Sequence, residues 1–386
     1  MLFEPDVHEP LTDDSWDPDR VRAAIHDIAE DAEGAFDNGW PTHPQDSDDE
    51  GDELRRFRTV YLGAAGVIQA LDSLHRRGLC ELRGKYVPYL EQPYEPDFPD
   101  ADHERSLWMG ETGIRLTLQR LSPSSENADR LYELIAANAR DERREIMWGS
   151  PGTMLAAAAM HDLTGEARWL DLWDESAVWL RGEWDAQTGL WTQRLYERVE
   201  QFTGPAHGFA GCVLALSRNA DDELHRRAAE ATRRYAVEED GLANWPPITS
   251  TEELRSGRDG KIRTQWCHGA PGIVASLCAV APDDDEHTRL LLAGGELTWL
   301  AGPLAKGANL CHGTAGNGYA FLALFERTGD ELWLERARAF AMHAAAQVAR
   351  ARAELGRGRY TLWTGDPGTA LYLADCLAGS GGLPLP

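Results

Sequence analysis

The amino-acid sequence predicts an all-α protein, an α/α toroid or double-layered helical barrel built from seven helical-pair repeats. Three observations support this prediction. A Gly-x-x-Gly element occurs seven times, each time before an apolar run. The segments between the copies show helical periodicity, and runs of alternating strand type are absent. The first glycines of successive copies lie 39 to 61 residues apart, which is typical of helical pairs with loop insertions.

The seven Gly-x-x-Gly copies predict the inner layer of the toroid. Each copy stands before a helix, where glycine permits a tight turn and a close backbone contact. The helices that follow are rich in small residues, as in 153–160 and 315–324, which suits a crowded inner layer. The paired glycines are Gly63 and Gly66, Gly110 and Gly113, Gly149 and Gly152, Gly208 and Gly211, Gly269 and Gly272, Gly313 and Gly316, and Gly365 and Gly368.

More highly charged helices between the copies predict the outer layer. The segments 129–140, 223–235 and 331–349 carry apolar residues near positions i, i+3, i+4 and i+7, the pattern of an amphipathic helix. Inner and outer helices that alternate over seven repeats close naturally into a ring. Because repeat units share a continuous core, we expect a single domain over 1–386, with core repeats at about 61–373.

Four irregular stretches interrupt the helical pattern without dividing the chain into domains. An acidic run at 41–52 is expected to be a mobile loop. The segments 87–102 and 240–262 contain proline and many charged residues, and the second leads into a cysteine motif. Residues 379–386 are expected to form a flexible tail.

Composition excludes several classes of function. The net charge of −26 argues against nucleic acid and anionic membranes as partners. The apolar runs are too short to span a bilayer. The acidic N-terminus lacks the basic and apolar regions of a signal peptide, so a cytoplasmic location is expected.

Six widely separated cysteines do not predict a disulfide framework in a chain expected to stay in the cytoplasm. Cys80, Cys212, Cys278 and Cys376 stand in apolar or mixed surroundings and are expected to be buried as small hydrophobic residues.

Two short segments, Gln265–Gly272 and Asn309–Gly316, place a Cys-His dipeptide directly before Gly-x-x-Gly. Cysteine and histidine are the side chains that zinc prefers, and Cys267, Cys311 and His312 would supply three ligands. Three protein ligands leave a fourth position for water or substrate, as in catalytic zinc sites. The alternative is two buried repeat cysteines with histidines beside them by chance. None of the other five copies has cysteine at the matching position, which favours the zinc hypothesis.

Three further polar residues are candidates for the same cavity. His207 precedes its own Gly-x-x-Gly copy and would suit general acid/base work, although a histidine hydrogen-bonded within the turn fits the pattern equally well. Arg263, four residues before Cys267, would stabilise a developing anion or lie solvated in its loop. His268 is either a further ligand or a residue that lines the cavity. No phosphate-binding loop or dinucleotide fingerprint is present.

Taken together, the seven Gly-x-x-Gly repeats, the Trp-Cys-His-Gly segment and the later Cys-His-Gly segment resemble the lanthionine synthetase C-like proteins. The resemblance covers about 61–373. It implies a double-layered α/α toroid with zinc at its centre, held by Cys267, Cys311 and His312. It also implies that His207 is the catalytic acid/base and that Arg263 lies near the metal.

Two positions depart from the family pattern. Glu145 stands four residues before the first glycine of the third repeat, where bacterial cyclases carry aspartate. Glu197 stands about ten residues before His207, where cyclases can carry a second histidine. The resemblance therefore implies a catalytic role for Glu145. It assigns no residue of this chain to the role of the second histidine, because Glu197 stands at that position.

The resemblance implies one of two related activities. Bacterial cyclases close thioether rings in dehydrated peptides, and eukaryotic-type members add glutathione to dehydroalanine or dehydrobutyrine residues. The His-Gly-Ala-Pro-Gly after Cys267 is more similar to the glutathione-adding branch. The expected partners are a dehydroamino-acid-containing peptide or protein and a thiol. The alternatives are another zinc or sugar-processing α/α-toroid enzyme, or a non-catalytic glutathione-binding or scaffold protein.

Overall fold

The structure is a computed structural model that describes residues 2–46, 55–99, 102–195, 197–249 and 261–385. In this part of the chain it contains fourteen α-helices and two small β-hairpins. The helices are α1 (Pro18–Gly34), α2 (Ala64–Arg76), α3 (Tyr86–Leu90), α4 (Glu111–Leu121), α5 (Ser125–Asn138), α6 (Ser150–Thr164), α7 (Ala167–Gly182), α8 (Phe209–Leu216), α9 (Asp222–Tyr235), α10 (Ala270–Leu277), α11 (Asp285–Ala301), α12 (Thr314–Thr328), α13 (Glu331–Leu355) and α14 (Asp366–Ala378).

Every Gly-x-x-Gly copy forms the start of a helix, as the sequence predicts. The first glycine of each copy is the N-cap residue of α2, α4, α6, α8, α10, α12 or α14. The second glycine packs against the carbonyl oxygen six residues earlier. A Cβ atom at Gly272 would lie 1.8 Å from the Trp266 oxygen, and one at Gly316 would lie 1.8 Å from the Leu310 oxygen. Only glycine permits this approach, which folds each preceding loop back over its helix.

The seven inner helices form a closed ring, which confirms the α/α-toroid prediction. Each inner helix contacts the next in the order α2, α4, α6, α8, α10, α12 and α14, and α14 contacts α2. Because the Gly-x-x-Gly loops all stand at helix N-termini, they gather at one end of the ring, here called the rim. The opposite end, formed by the inner-helix C-termini, is here called the base.

The outer layer consists of helices that pack on the outside of this ring. Helices α5, α7, α11 and α13 contact neighbouring inner helices, and α1 packs against α14. The predicted outer segments 129–140, 223–235 and 331–349 correspond to α5, α9 and α13, with α13 extending to Leu355. Each of these three helices begins at a side-chain cap that accepts a backbone N–H, which is the usual way to satisfy the first turn.

Two short hairpins accompany the helices of the all-α fold in the described part of the chain. Strands β1 (Gln193–Leu195) and β2 (Arg198–Glu200) form one antiparallel hairpin, and β3 (Val237–Glu239) and β4 (Leu242–Asn244) form another. Both strands of each hairpin have three residues, too few to show an alternating pattern. The second hairpin turns at Asp240-Gly241, where both residues have positive φ, as a tight hairpin turn requires.

The irregular stretches predicted from sequence are partly described. Residues 47–52 of the acidic run, 100–101 of the second segment and 250–260 of the third lie outside the described residues. The described part of the tail packs Leu383 and Leu385 against the core. The single-domain organisation and the mobility of loop and tail stay predictions. Within the described residues, no helix is both long enough and apolar enough to cross a membrane.

Candidate active site

Equivalent positions of the repeats meet at the centre of the rim. The residue five positions before the second glycine is Cys267 in the fifth repeat and Cys311 in the sixth. Their loops are joined directly, since the Cys267 N–H donates to the Cys311 carbonyl oxygen at 3.1 Å. In the first repeat the same position is Tyr61, and its hydroxyl reaches the Cys311 sulfur. The repeat symmetry therefore brings the two predicted cysteine ligands together, with a tyrosine beside them.

Tight turns present the two cysteines to the cavity. Gln265 and His268 exchange backbone hydrogen bonds of 3.1 Å, which leaves Cys267 in a two-residue turn between them. Gly269, directly after this turn, has a φ of 108°, a value that favours glycine. In the other loop, the Asn309 side chain accepts the His312 N–H at 3.0 Å. Both sulfur atoms are therefore held by ordered backbone.

Each cysteine sulfur has its own hydrogen-bond donor. The Tyr61 hydroxyl donates to the Cys311 sulfur at 2.9 Å, and the Gln265 amide donates to the Cys267 sulfur at 2.9 Å. The Gln265 oxygen in turn accepts from Lys306 at 3.5 Å. Donors aimed at sulfur stabilise its anionic form and hold it in position. Both cysteines are buried, so these contacts act in a region with little water.

The two thiols are hydrogen-bonded to each other, and each changes the pKa of the other. The hydrogen bond from Cys311 lowers the pKa of Cys267, and Gln265, His207 and Arg263 act in the same direction. The same hydrogen bond, together with burial, raises the pKa of Cys311 well above its usual value. The hydrogen bond between the two sulfur atoms thus favours loss of one proton from the pair and opposes loss of the second, so the pair can hold one thiolate next to one thiol.

The third predicted ligand, His312, follows Cys311 in the chain and is half-buried. Burial lowers its pKa to about 4, and the positive charges of Arg359 and Lys306 act in the same direction. His312 is therefore neutral near pH 7, the form in which histidine binds metals. Within the described ranges, no three His, Cys, Asp or Glu side chains are grouped closely enough to hold a metal ion. The three-residue zinc set stays a prediction.

His268, which the sequence left open between ligand and lining residue, lies next to the cavity. Burial lowers its pKa to about 3, and the charges of His207, Arg263 and Lys306 lower it further. Its Nδ1 atom is buried and has no hydrogen-bond partner in the described part of the chain. His268 is thus a neutral histidine at the rim.

His207 and Glu145 form a hydrogen-bonded pair. The His207 Nδ1 atom lies 3.0 Å from the Glu145 carboxylate, and their side chains are 15% and 0% exposed. Glu145 also accepts the backbone N–H groups of Met147, Trp148 and Gly149 at 2.6 to 3.1 Å. A carboxylate held at a helix N-terminus can fix the orientation of the histidine that it binds.

Aromatic rings form the wall next to this pair. The Trp148 ring lies 5.3 Å from the His207 ring and stacks on His103 at 4.6 Å with an interplanar angle of 5°. Trp148 and His207 occupy the same position, four residues before the second glycine, in successive repeats. Burial lowers the pKa of His103, which keeps this stacked ring neutral.

Positive side chains surround the cysteine pair. Arg263 is exposed, and its charge lowers the pKa of both Cys267 and His268. Beside the sixth repeat, a cavity of about 160 Å³ is lined by residues that include Lys306, Asn309 and Arg359. Arg359 is paired with Asp46, so Lys306 and Arg263 are the cations near the cysteine pair that could attract an anionic group.

The remaining four cysteines lie outside the site. Cys212, Cys278 and Cys376 are buried, whereas Cys80 is half-buried, and all six cysteines are free thiols. Burial raises the pKa of Cys278 to about 12 and that of Cys80 to about 11, so neither forms a thiolate near neutral pH. The expectation that these cysteines are buried is confirmed for Cys212, Cys278 and Cys376 and is wrong for Cys80, which is half-buried.

Comparison with known proteins decides the family. The family model described as "Lanthionine synthetase C-like protein" matches residues 58–381, most of the chain. This chain belongs to that family. It is 33% identical to the LanC-like protein GCL1 of Arabidopsis thaliana over 146 residues, which are 37% of this chain and 32% of the relative. It is 30% identical to a Danio rerio protein named glutathione S-transferase LANCL1 over 184 residues, 46% of this chain and 44% of the relative.

These matched stretches span less than half the length of either curated relative. Among solved structures, nisin cyclase is similar with a TM-score of 0.56 at 17% identity, covering 84% of this chain and 94% of that chain. At this identity the likeness concerns the fold alone, and it supports the α/α toroid.

Proposed function

We propose that this chain adds a thiol to dehydroalanine or dehydrobutyrine residues of a peptide or protein, forming a thioether, with zinc as its cofactor. The thiol is glutathione or a peptide cysteine. The observation that carries the proposal is the buried pair of Cys267 and Cys311, with a hydrogen-bond donor on each sulfur, within electrostatic range of the His207–Glu145 pair. Membership of the lanthionine synthetase C-like family supports the same reaction class.

The residues at the rim fit zinc by their chemistry. Two hydrogen-bonded sulfur atoms, with the pKa of Cys267 lowered from its usual value, are the soft donors that zinc prefers, and a neutral histidine adjoins them in sequence. Tyr61 and Gln265 provide the outer donors that orient metal-bound thiolates. We propose that Cys267, Cys311 and His312 hold the ion after the His312 side chain reorients toward the cysteine pair. When bound, zinc lowers the pKa of a fourth, thiol ligand so that it is a thiolate at neutral pH.

The protein's own residues then bind and position the thiol substrate. Lys306 lines the cavity beside the sixth repeat and would pair with a carboxylate of a molecule such as glutathione, whereas Arg359 in the same lining is already paired with Asp46. The His-Gly-Ala-Pro-Gly that follows Cys267 and the printed name of the Danio rerio relative both favour glutathione over an internal cysteine. Reduced glutathione is abundant in the cytoplasm, the location expected for this chain.

The proton and the electron pair have defined destinations. The thiolate sulfur bonds to the β-carbon of the dehydroamino acid, and the double-bond electrons move onto the adjoining carbonyl as an enolate. Arg263, exposed at the rim, stabilises this negative charge. His207, oriented by Glu145, returns to the α-carbon the proton that the thiol lost. The stacked rings of Trp148 and His103 form an apolar wall next to His207.

Mass spectrometry of a dehydroalanine peptide incubated with glutathione tests the proposal directly. We expect a glutathione adduct that forms faster with zinc-loaded protein than with protein stripped by a chelator. A peptide that also carries a cysteine separates the two related activities, since ring closure leaves its mass unchanged and blocks its thiol. Binding of glutathione without any product above background would contradict catalysis and leave a binding protein. Products that contain an isoprenoid or a cleaved sugar would favour a different toroid enzyme.

A further inference from the structure

The base of the ring contains a pocket that the proposed reaction does not use. It has a volume of about 360 Å³ and lies between the C-terminal halves of the inner helices α2, α4, α6 and α14 and the C-terminal segment. Its polar lining includes Gln69, Ser73 and Arg76 from α2 and Arg120 from the last turn of α4. These residues stand at the opposite ends of their helices from the Gly-x-x-Gly loops, so the pocket is separate from the cysteine site.

Arg120 lines the pocket, and its charged side chain has no ion-pair partner among the described residues. Its guanidinium is half-buried and makes no hydrogen bond or ion pair with any residue in the described ranges. Burial lowers its pKa, and the neighbouring positive charge of Arg76 lowers it further. The guanidinium still stays protonated at any physiological pH, so a half-buried cation faces the pocket.

The carboxylates around the pocket are already paired with other arginines. Asp72 binds Arg76 at 2.9 Å, and Asp375 binds Arg77 at 2.6 Å. Asp162 forms its ion pair with Arg218 at 2.5 Å, using a guanidinium outside the pocket lining. Asp375 also accepts the Tyr319 hydroxyl at 2.7 Å. Arg120 is therefore the surplus cation of this group.

Two neutral donors on α2 stand on the same pocket wall. Gln69 and Ser73 are four residues apart and so share a helix face. Both are half-buried, and within the described part of the chain neither side chain donates to another residue. An amide, a hydroxyl and a guanidinium without partners form the donor set that binds an oxyanion. The C-terminal dipole of α4 stabilises the Arg120 charge but satisfies none of its N–H groups.

Apart from these polar residues and the ion-paired Arg77, Asp162 and Asp375, the lining is apolar. Leu163, Leu371 and Leu383 border the pocket, and Leu163 is 44% exposed. The volume exceeds that of a single inorganic oxyanion, so there is room for an apolar body behind an anionic head.

We propose that this basal pocket binds a small organic anion, with its carboxylate or phosphate on Arg120, Ser73 and Gln69 and its apolar part against the three leucines. The site is independent of the thiol-addition reaction at the rim. A carboxylate and a phosphate would both accept hydrogen bonds from the same three side chains. Butyrate and inorganic phosphate, tested separately, distinguish between these two anions.

The test is the thermal midpoint of the full chain titrated with butyrate or with inorganic phosphate, each against chloride at equal ionic strength. At least one probe should raise the midpoint saturably, and butyrate should act at lower concentration if the leucines contribute. Arg120→Gln should weaken the response about tenfold or more, as expected for loss of a charge-assisted contact. Arg22→Gln, at an exposed ion pair on α1, removes the same charge and should leave the response unchanged.

Ser73→Ala provides a second variant that keeps all charges, so a folding defect in Arg120→Gln does not decide the outcome. It should weaken binding by less than Arg120→Gln does. The absence of a saturable shift with both probes, or an equal shift in the parent and in both pocket variants, would overturn the proposal. Glutathione addition by Arg120→Gln should equal that of the parent, which separates failure here from failure of the proposed function.

Discussion

The cysteine site at the rim and the pocket at the base differ in the hydrogen-bond partners of their polar side chains. At the rim, the sulfurs of Cys267 and Cys311 each have a donor, and Glu145 accepts from one histidine and three backbone N–H groups. At the base, Arg120 and Ser73 face a pocket without a partner among the described residues. The same seven inner helices supply both ends.

The direction of the inner helices explains much of this difference. Their N-termini point to the rim, where free N–H groups and the positive end of the helix dipole favour carboxylates and thiolates. Their C-termini point to the base, where arginines are favoured. At the rim, helix N-termini therefore stabilise anionic side chains of the protein itself. At the base, arginine side chains can bind an anion from solution.

The largest effect is expected from removing a rim cysteine. Zinc-loaded parent protein should contain about one equivalent of zinc, as expected for a three-ligand site. Cys311→Ala and Cys267→Ala should each lose most of it. Each variant leaves only two of the three protein ligands and removes one thiolate that offsets the charge of the zinc ion. Cys80→Ala is the matched control and should keep its zinc, because it removes a half-buried thiol that lies outside the cysteine site. Elemental analysis measures all four proteins, and full retention in both rim variants would rule out the site.

The next largest effect is a loss of stability, expected when the second glycine of the sixth repeat is replaced. The Cβ atom of Gly316→Ala would lie 1.8 Å from the Leu310 carbonyl oxygen, so the loop that carries Cys311 must move. We expect a loss of at least about 3 kcal/mol in the free energy of unfolding, measured with denaturant. Gly182→Ala is the control, since its Cβ would meet nothing within 4 Å. Equal stability of the two variants would show that the close glycine contact does not hold the rim.

His207 tests the catalytic half of the rim. His207→Asn keeps a side-chain donor for Glu145 but removes the titratable ring, so the rate of glutathione addition should fall about a hundredfold or more while zinc is retained. His26→Asn, at an exposed position of α1, should react like the parent. A His207→Asn protein as fast as the parent would make this histidine structural, with Glu145 serving only to close the turn.

The smallest expected effect concerns the hydroxyl beside Cys311. Tyr61→Phe keeps the ring that stacks on Trp363 and removes only the donor to sulfur. Loss of an outer-shell partner should weaken zinc binding about tenfold, measured by competition with a chelator. Tyr132→Phe changes a ring that packs on Trp169 and should leave zinc affinity unchanged. If both variants bind zinc equally well, the Tyr61 contact does not tune the site.

The sequence predicts the fold and much of the rim because both depend on the repeat. Glycine is required wherever a loop carbonyl approaches a helix, so the seven glycine pairs mark the inner helices directly. Cys267 and Cys311 stand at equivalent positions of adjacent repeats, which explains why they meet. Tyr61 stands at that position too, and aligning the repeats would have identified it. The pairing of His207 with Glu145 fits the roles that the family resemblance implies.

Other features could not be predicted because they depend on packing between distant segments. Gln265 shares its position in the repeat with Glu145 and Asn309, but nothing in the sequence shows that its amide points at sulfur. Lys306 reaches the site through the fold of a loop without a repeat counterpart. The basal pocket combines residues from four inner helices and the tail, so no local motif indicates it.

The central claim, that the rim cysteines present a metal to an incoming thiol, is tested most directly with cobalt-substituted protein titrated with glutathione. We predict a thiolate-to-cobalt charge-transfer absorption from Cys267 and Cys311 that increases further and saturates as glutathione supplies a third thiolate. The increase should be absent with S-methyl glutathione, whose sulfur is blocked. A protein that binds no cobalt, or one whose absorption is unchanged at saturating glutathione, would contradict the claim.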